Sequence, residues 1–189
     1  MERKVPIGLS NKHIHVSQAD LEALFGKGYQ LTPMKDLSQP GQYAAEEKVD
    51  VVGPKGTLKG IRILGPVRPE TQLEVSVGDG FALGIKAPLR NSGDIADTPG
   101  VKIIGPAGEI EIAKGAIVAA RHIHMSPEEG AAFGLKDRDI VSVKLDGPRG
   151  LIFDNVLVRV HPEFKLDMHL DVEEGNAAGA KNGQLATIL

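Results

Sequence analysis

Two stretches of this chain alternate apolar and polar residues with the period of two expected for a half-buried strand. Leu73, Val75 and Val77 alternate with Gln72, Glu74 and Ser76, and Leu166, Met168 and Leu170 alternate with Asp167, His169 and Asp171. Three further apolar clusters, around Val49–Val52, Val101–Ile104 and Val141–Leu145, each run into a Gly-Pro-x-Gly sequence, at 53–56, 105–108 and 147–150. Proline second and glycine fourth suit a type I turn, so each is predicted to close a hairpin. Helical signals are short. Ser17-Gln18-Ala19-Asp20 and Ser126-Pro127-Glu128-Glu129 place an N-cap serine three residues before an acid, and Pro127 fills the first helical position. Leu31 to Ala45, with Pro33, Pro40 and Gly41, has no period and reads as irregular; Glu173 to Gly183 reads as a loop or a short helix. Many short strands with regular turns predict a mainly β protein with short helices, built as two small β-barrels with helical caps.

The chain also repeats itself. Asn11-Lys12-His13-Ile14-His15-Val16-Ser17 returns as Ala120-Arg121-His122-Ile123-His124-Met125-Ser126, and each copy continues to a Phe-Gly, at 25–26 and 133–134. This predicts an internal duplication. Residues i and i+2 of a strand face the same side with Cα atoms roughly 6–7 Å apart, which suits two imidazoles chelating one metal ion. A single His-x-His reads as a chance pair on a polar face. Two copies in matching contexts, holding four of the six histidines, point instead to paired metal sites.

Composition narrows the chemistry. The 189 residues are 41% hydrophobic but only 4% aromatic, so aliphatic side chains must fill the core. There is no cysteine, which excludes disulfides, thiolate-bound zinc and a cysteine nucleophile. The net charge is −3 without a basic run, so neither nucleic acid nor membrane is an expected partner, and an anionic ligand must be held by a few placed cations. Met1 to Ile7 holds no apolar segment of the secretory type, so cytoplasmic residence is expected. No Walker loop, Rossmann fingerprint or Gly-x-Ser-x-Gly elbow is present.

Three residues outside the repeats have two readings each. Glu74 suits a His₂Glu zinc site with an open position, but also a solvated strand carboxylate. Arg68 is a surface arginine unless the fold places its planar fork where it can meet a phosphate. His169 is a third ligand for His122 and His124, oriented by a neighbouring aspartate, or a surface histidine. His161, next to Pro162, reads as a turn residue. The spacing from His122 and His124 to Glu128 also matches a cupin-like metalloenzyme, although Glu128 falls within a helix cap.

Several longer motifs, in the same order, resemble the propanediol-utilisation type of phosphotransacylase, the phosphate propanoyltransferases. They are Ser10-Asn11-Lys12-His13-Ile14-His15, the run Leu37 to Glu46, Thr71-Gln72-Leu73-Glu74, Ala120 to Pro127, and Met168-His169 followed by Asn176-Ala177-Ala178-Gly179. The resemblance implies an acyltransferase that exchanges coenzyme A and phosphate on a short acyl group. It implies one barrel from residues 2–11 and 120–189, a second from 12–25 and 47–119, and an irregular excursion at 26–46 that helps form a homodimer. It implies two zinc ions, one on His13, His15 and Glu74 and the other on His122, His124 and His169. It gives Arg68 to phosphate, and Ser10, Lys35, Arg62, Leu64, His169 and Asn176 to coenzyme A. Such enzymes also occur in bacterial microcompartments, sometimes behind an N-terminal encapsulation helix. No such extension is visible here, and a non-enzymatic metal-binding microcompartment component stands as the rival reading.

Overall fold

The computed structural model describes residues 2–189. In chain order the elements are β1 (Lys4–Ser10), β2 (His13–His15), α1 (Gln18–Phe25), β3 (Pro33–Asp36), β4 (Tyr43–Val52) and β5 (Thr57–Gly65). Then come β6 (Gln72–Glu74), α2 (Val77–Leu83), β7 (Leu89–Arg90), β8 (Val101–Ile104), β9 (Glu109–Ile112) and β10 (Ala116–Ala119). The remainder is β11 (His122–Met125), α3 (Pro127–Phe133), β12 (Ile140–Leu145), β13 (Leu151–Val160), β14 (Asp167–Asp171), α4 (Val172–Ala178) and β15 (Leu185–Ile188). They form two compact units. Unit 1 comprises the chain up to Asn11, Ser38–Pro40 and Ala120–Leu189; unit 2 comprises Lys12–Leu37 and Gly41–Ala119.

Unit 1 is a closed six-stranded barrel in the order β1-β14-β11-β13-β12-β15, with β15 returning to β1. Unit 2 is a nine-stranded sheet in the order β7-β10-β6-β2-β5-β4-β8-β9, with β3 beside β4. Ile14, Val49, Val51, Ile61, Ile63, Leu73, Ile103 and Ala116, from six of its strands, meet in one core, so the sheet curls around its own interior. The mainly β class and the two barrel-like units are therefore those the sequence predicts.

The six inner strands of unit 2, β10-β6-β2-β5-β4-β8, match the six of unit 1 one for one in order. In both units the His-x-His strand has a parallel neighbour that is the second arm of a hairpin, β5 or β13, and an antiparallel neighbour, β6 or β14. A further strand, β10 or β1, runs parallel to that antiparallel neighbour. The sixth strand of each unit is exchanged along the chain: β1 belongs to unit 1 and leads into β2 of unit 2, whereas β10 belongs to unit 2 and leads into β11 of unit 1.

The Gly-Pro-x-Gly sequences are hairpin turns, between β4 and β5, β8 and β9, and β12 and β13. The first two also meet helix ends: Lys55 N–H donates to the Leu83 carbonyl closing α2 (3.0 Å), and Ala107 N–H to the Leu24 carbonyl of α1 (2.9 Å). These bonds satisfy carbonyls that a helix end leaves unpaired. A Cβ at Gly53 or Gly105 would lie 2.3 or 2.4 Å from the same Leu83 or Leu24 oxygen, so only glycine fits at the first turn position.

Two local readings change. The alternation through Leu73 and Val75 does not extend to Val77. Val77 is 68% exposed and begins α2, because Ser76 and Asp79 form a capping box that turns the chain into a helix. The Gly- and Ala-rich end resolves as α4, capped by Asp171 and stopped by Gly179 in the left-handed conformation.

The excursion at 26–46 is also more ordered than its sequence suggests. All four residues of β3 are exposed, so no apolar alternation marks the strand, yet it pairs antiparallel with β4. The preceding turn is tied down by Glu47, only 7% exposed, which accepts from Tyr29 Oη (3.0 Å) and the Thr32 N–H (3.1 Å). Burial alone would raise the Glu47 carboxyl, but the donors at Thr32 and Tyr29 outweigh it and hold it below its ordinary value. The folded state therefore prefers the carboxylate, and this stabilisation is present above the unfolded value, about 4.3, and lost as pH falls through the folded one. Glu47→Gln should cost about 1–3 kcal/mol near neutral pH. In urea unfolding the gap to wild type should narrow as pH is lowered through and below the ordinary glutamate range; a constant gap would show that the charge of Glu47 contributes nothing.

Candidate metal centres

Each unit gathers three potential ligands whose donor atoms lie within 4.8 Å of one another: His13, His15 and Glu74 in unit 2, and His122, His124 and His169 in unit 1. Their construction is the same. Ile14 and Ile123, the middle residues of the His-x-His strands, are fully buried, so strand alternation sends the two flanking imidazoles to the opposite face. The antiparallel neighbour supplies the third group directly across the ladder, Glu74 opposite His13 and His169 opposite His122. Directly opposed residues have Cβ atoms about 4.5–5.5 Å apart, within reach of a shared ion.

The repeated basic residue before each His-x-His has a matching role. Lys12 Nζ donates to Asp79 Oδ1 (2.6 Å), and Arg121 Nη1 to Glu174 Oε1 (2.8 Å). Asp79 and Glu174 are the capping-box acids of α2 and α4, the helices that follow the third-ligand strands. Each base thus fastens the His-x-His strand to the helix behind its third ligand.

The hydrogen bonds fix which imidazole nitrogens carry lone pairs. His15 Nδ1 faces the Leu64 carbonyl (3.2 Å) and His122 Nδ1 the Ala120 carbonyl (2.8 Å). A carbonyl only accepts, so both Nδ1 atoms are protonated donors and Nε2 carries the lone pair that could ligate a metal. Burial, then the charges of His13 and Arg68, push His15 down to about 3. Burial, then the charges of His122, His169 and Arg159, push His124 down to about 2. Both rings are neutral at physiological pH, as ligation requires. His124 Nδ1 is buried and has no hydrogen-bond partner among the described residues, a lone pair that a cation would satisfy.

Glu74 completes the unit 2 cluster. Its Oε2 lies 3.4 Å from His13 Nε2, and its Oε1 lies 3.9 Å from His15 Nε2. Zinc ligands about 2.0–2.1 Å from a tetrahedral ion stand roughly 3.3 Å apart, so the set fits zinc with little adjustment. Burial pushes the Glu74 carboxyl up, but the charge and hydrogen bond of His13, then His15 and Ser92, outweigh it and hold it far below the usual range. Gln72, a polar position of the strand alternation, and Ser92, which no sequence pattern singles out, both donate to Oε1. Arg68 lies beside this cluster, with its N–H on the Val16 carbonyl (2.9 Å) and its Nη1 on Ser92 Oγ (3.2 Å).

In unit 1, His169 Nε2 lies 3.0 Å from Oδ2 of buried Asp167 and 3.4 Å from Ser38 Oγ. Ser38 is held by its neighbour Gln39, whose amide donates to the Lys165 carbonyl (2.9 Å) and accepts the Lys165 N–H (3.2 Å). Arg159, also unmarked in the sequence, pairs across the ladder with His124.

The remaining candidates divide between the units. Ser10 pairs with Asp171, the N-cap of α4, and Asn176 lies exposed on that helix in unit 1. In unit 2, Arg62 stands opposite His13 and donates to the Ala45 carbonyl, Leu64 supplies the carbonyl under His15, and Lys35 is exposed on β3. His161 is an exposed residue just beyond β13. Glu128 is exposed on α3 and is not among the clustered ligands. The cupin spacing thus has no counterpart in the fold, where His169 and not Glu128 joins His122 and His124.

Residues 6–181 match the phosphate propanoyltransferase family. A phosphate propanoyltransferase of Thermotoga maritima is 53% identical over 99% of this chain and 91% of its own length. One from Rhodopseudomonas palustris is 52% identical over 98% and 82%, and one from Salmonella typhimurium 51% over 96% and 86%.

Gly8 lies on β1 opposite His169, where an added Cβ would sit 2.8 Å from Asp167 Oδ2 and 3.0 Å from His169 Cδ2. Asp167 is buried and cannot swing into solvent, so Gly8→Ala should turn His169 out of line. Zinc titration should show one site weakened at least ten-fold, with the unfolding temperature lowered by only a few degrees. Unchanged zinc binding would show that Asp167 does not orient His169.

Proposed function

Since this chain belongs to the phosphate propanoyltransferase family, whose members are acyltransferases, we propose that it catalyses acyl-CoA + phosphate = acyl phosphate + CoA on a short acyl group, with a zinc ion at each cluster. The observation that carries this reading is the matched pair of three-ligand sets, each holding one imidazole kept neutral by burial, His15 or His124, and one of them beside an arginine. Zinc bound there would supply a borderline-soft Lewis acid, able to accept a thiolate at neutral pH.

The chain's own groups suit the rest. Arg68 offers a planar fork for bidentate contact with phosphate. Its charge also helps keep His15 unprotonated, preserving a ligand while presenting a cation to the anionic substrate. In the forward direction a phosphate oxygen attacks the thioester carbonyl; the new C–O bond forms as the C–S bond breaks, and sulfur leaves as thiolate. This direct transfer needs no protein nucleophile, in keeping with a chain that has no cysteine. Holding both reactants in attack geometry removes much of the entropic barrier. We assign Ser10, Lys35, Arg62, Leu64, His169 and Asn176 to coenzyme A, the cations Lys35 and Arg62 suiting its phosphates. β3, paired on one edge only and carrying 48%-exposed Met34, supports a homodimer contact through 26–46. No helix among the described residues is long and apolar enough to cross a membrane. We place the enzyme in the cytoplasm, with association with a propanediol-utilisation microcompartment as the second setting.

Elemental analysis should find about two zinc ions per chain. His13→Ala and His122→Ala should each remove one and abolish turnover while leaving the circular dichroism spectrum intact. A fully active protein with one metal or none would sink the two-site reading. Arg68→Ala should raise the phosphate KM or lower kcat by roughly ten- to a hundred-fold, reflecting a charged hydrogen bond of about 1.5–3 kcal/mol. The acyl-CoA KM should change far less, and Arg68→Lys should recover part of the loss. Equal weakening of both substrates would move the phosphate role away from Arg68.

A further inference from the structure

Ser92 lies in the loop after β7, in a tight turn closed by the Asp94 N–H on the Asn91 carbonyl (2.9 Å). Its hydroxyl donates to Glu74 Oε1 (2.8 Å) and accepts from Gln72 Nε2 (2.9 Å) and Arg68 Nη1 (3.2 Å). A serine hydroxyl has one proton and two lone pairs, so its capacity is filled. Gln72 is 2% exposed and is itself fixed at both ends of its amide. Oε1 accepts the Gly93 N–H (2.8 Å), which orients the group and aims Nε2 at Glu74 Oε1 (2.7 Å) and Ser92. Glu74 Oε1 therefore receives two donors, while Oε2 faces His13 Nε2 at 3.4 Å.

We propose that Ser92 is a positioning residue that makes Glu74 a one-oxygen metal ligand through Oε2 and ties the Arg68 guanidinium to that same carboxylate. Oε1 is occupied by Ser92 and Gln72, and a carboxylate held on one oxygen cannot rotate to offer both. The same hydroxyl carries the orientation of Arg68, so metal affinity in unit 2 and the placing of the phosphate-binding cation are linked through one side chain. Gln72 docks the 91–94 turn on β6 and so keeps Ser92 in reach.

This inference rests on Glu74 being a zinc ligand, and the test separates the two claims. Metal-free protein is titrated with zinc against a chromophoric chelator, for wild type, His13→Ala, Ser92→Ala and Ser92→Thr. Ser92→Ala should weaken one of the two sites about ten- to a hundred-fold and leave the other unchanged. The phosphate KM should rise several-fold with the acyl-CoA KM unmoved. Ser92→Thr, which keeps the hydroxyl, should restore both values. Two sites of wild-type affinity and an unchanged phosphate KM in Ser92→Ala would overturn the positioning role while leaving the metal site standing. Equal zinc stoichiometry in wild type and His13→Ala would sink the metal site, and this inference with it.

Discussion

Two imidazoles stand with ring centroids 5.0 Å apart in unit 2 and 4.6 Å apart in unit 1, and in both cases they are buried. If both rings of a pair were protonated, like charges would face each other in a medium that screens them poorly. The fold prevents this by withdrawing water and placing an arginine near one ring of each pair, which holds His15 and His124 neutral. His15 and His124 therefore keep lone pairs, gathered on the strand face opposite each unit's core, where a cation would satisfy them.

The scaffold is shared, but its third position is not. A carboxylate stands opposite His13 and an imidazole opposite His122 at equivalent ladder positions. A divalent cation would keep one net positive charge on the first set (+2 − 1) and two on the second (+2 − 0). Duplication has therefore yielded two centres of different electrostatic character from one local design. The arginines differ as well: Arg62 pairs with the first histidine of its strand, whereas Arg159 pairs with the second.

The parts of this design that could be read from the sequence were those carried by local pattern. His-x-His followed by a capped helix is contiguous, so its repetition was visible, as were the hairpin turns with their glycines. The third ligands were legible only as candidates, because Glu74 and His169 sit on polar strand faces where nothing local separates a ligand from a solvated group. Ser92 and Arg159 left no signal, and Gln72 showed only as a polar strand position within a family motif. Their roles come from ladder register and from a loop without periodicity, both set by long-range pairing. β3 was missed for a related reason: an exposed strand buries nothing and so writes no alternation. Val77 shows the converse error, a strand-like alternation overruled by a serine–aspartate capping box.

The exchange of outer strands has a bearing on how the chain emerges during synthesis. β1 is made before any of its partners, and those partners, β14 and β15, are among the last segments to be made. Unit 2 contains β2 through β10, so its core can assemble while unit 1 is still incomplete. β1 must meanwhile wait with its ladder edges unpaired, which exposes it to wrong partners. Closing the first barrel then joins segments from opposite ends of the chain, a slow, high-contact-order step. Because β1 enters β2 directly, the early unit holds one end of the waiting strand near its own His-x-His, and this tether shortens the search when β14 and β15 arrive.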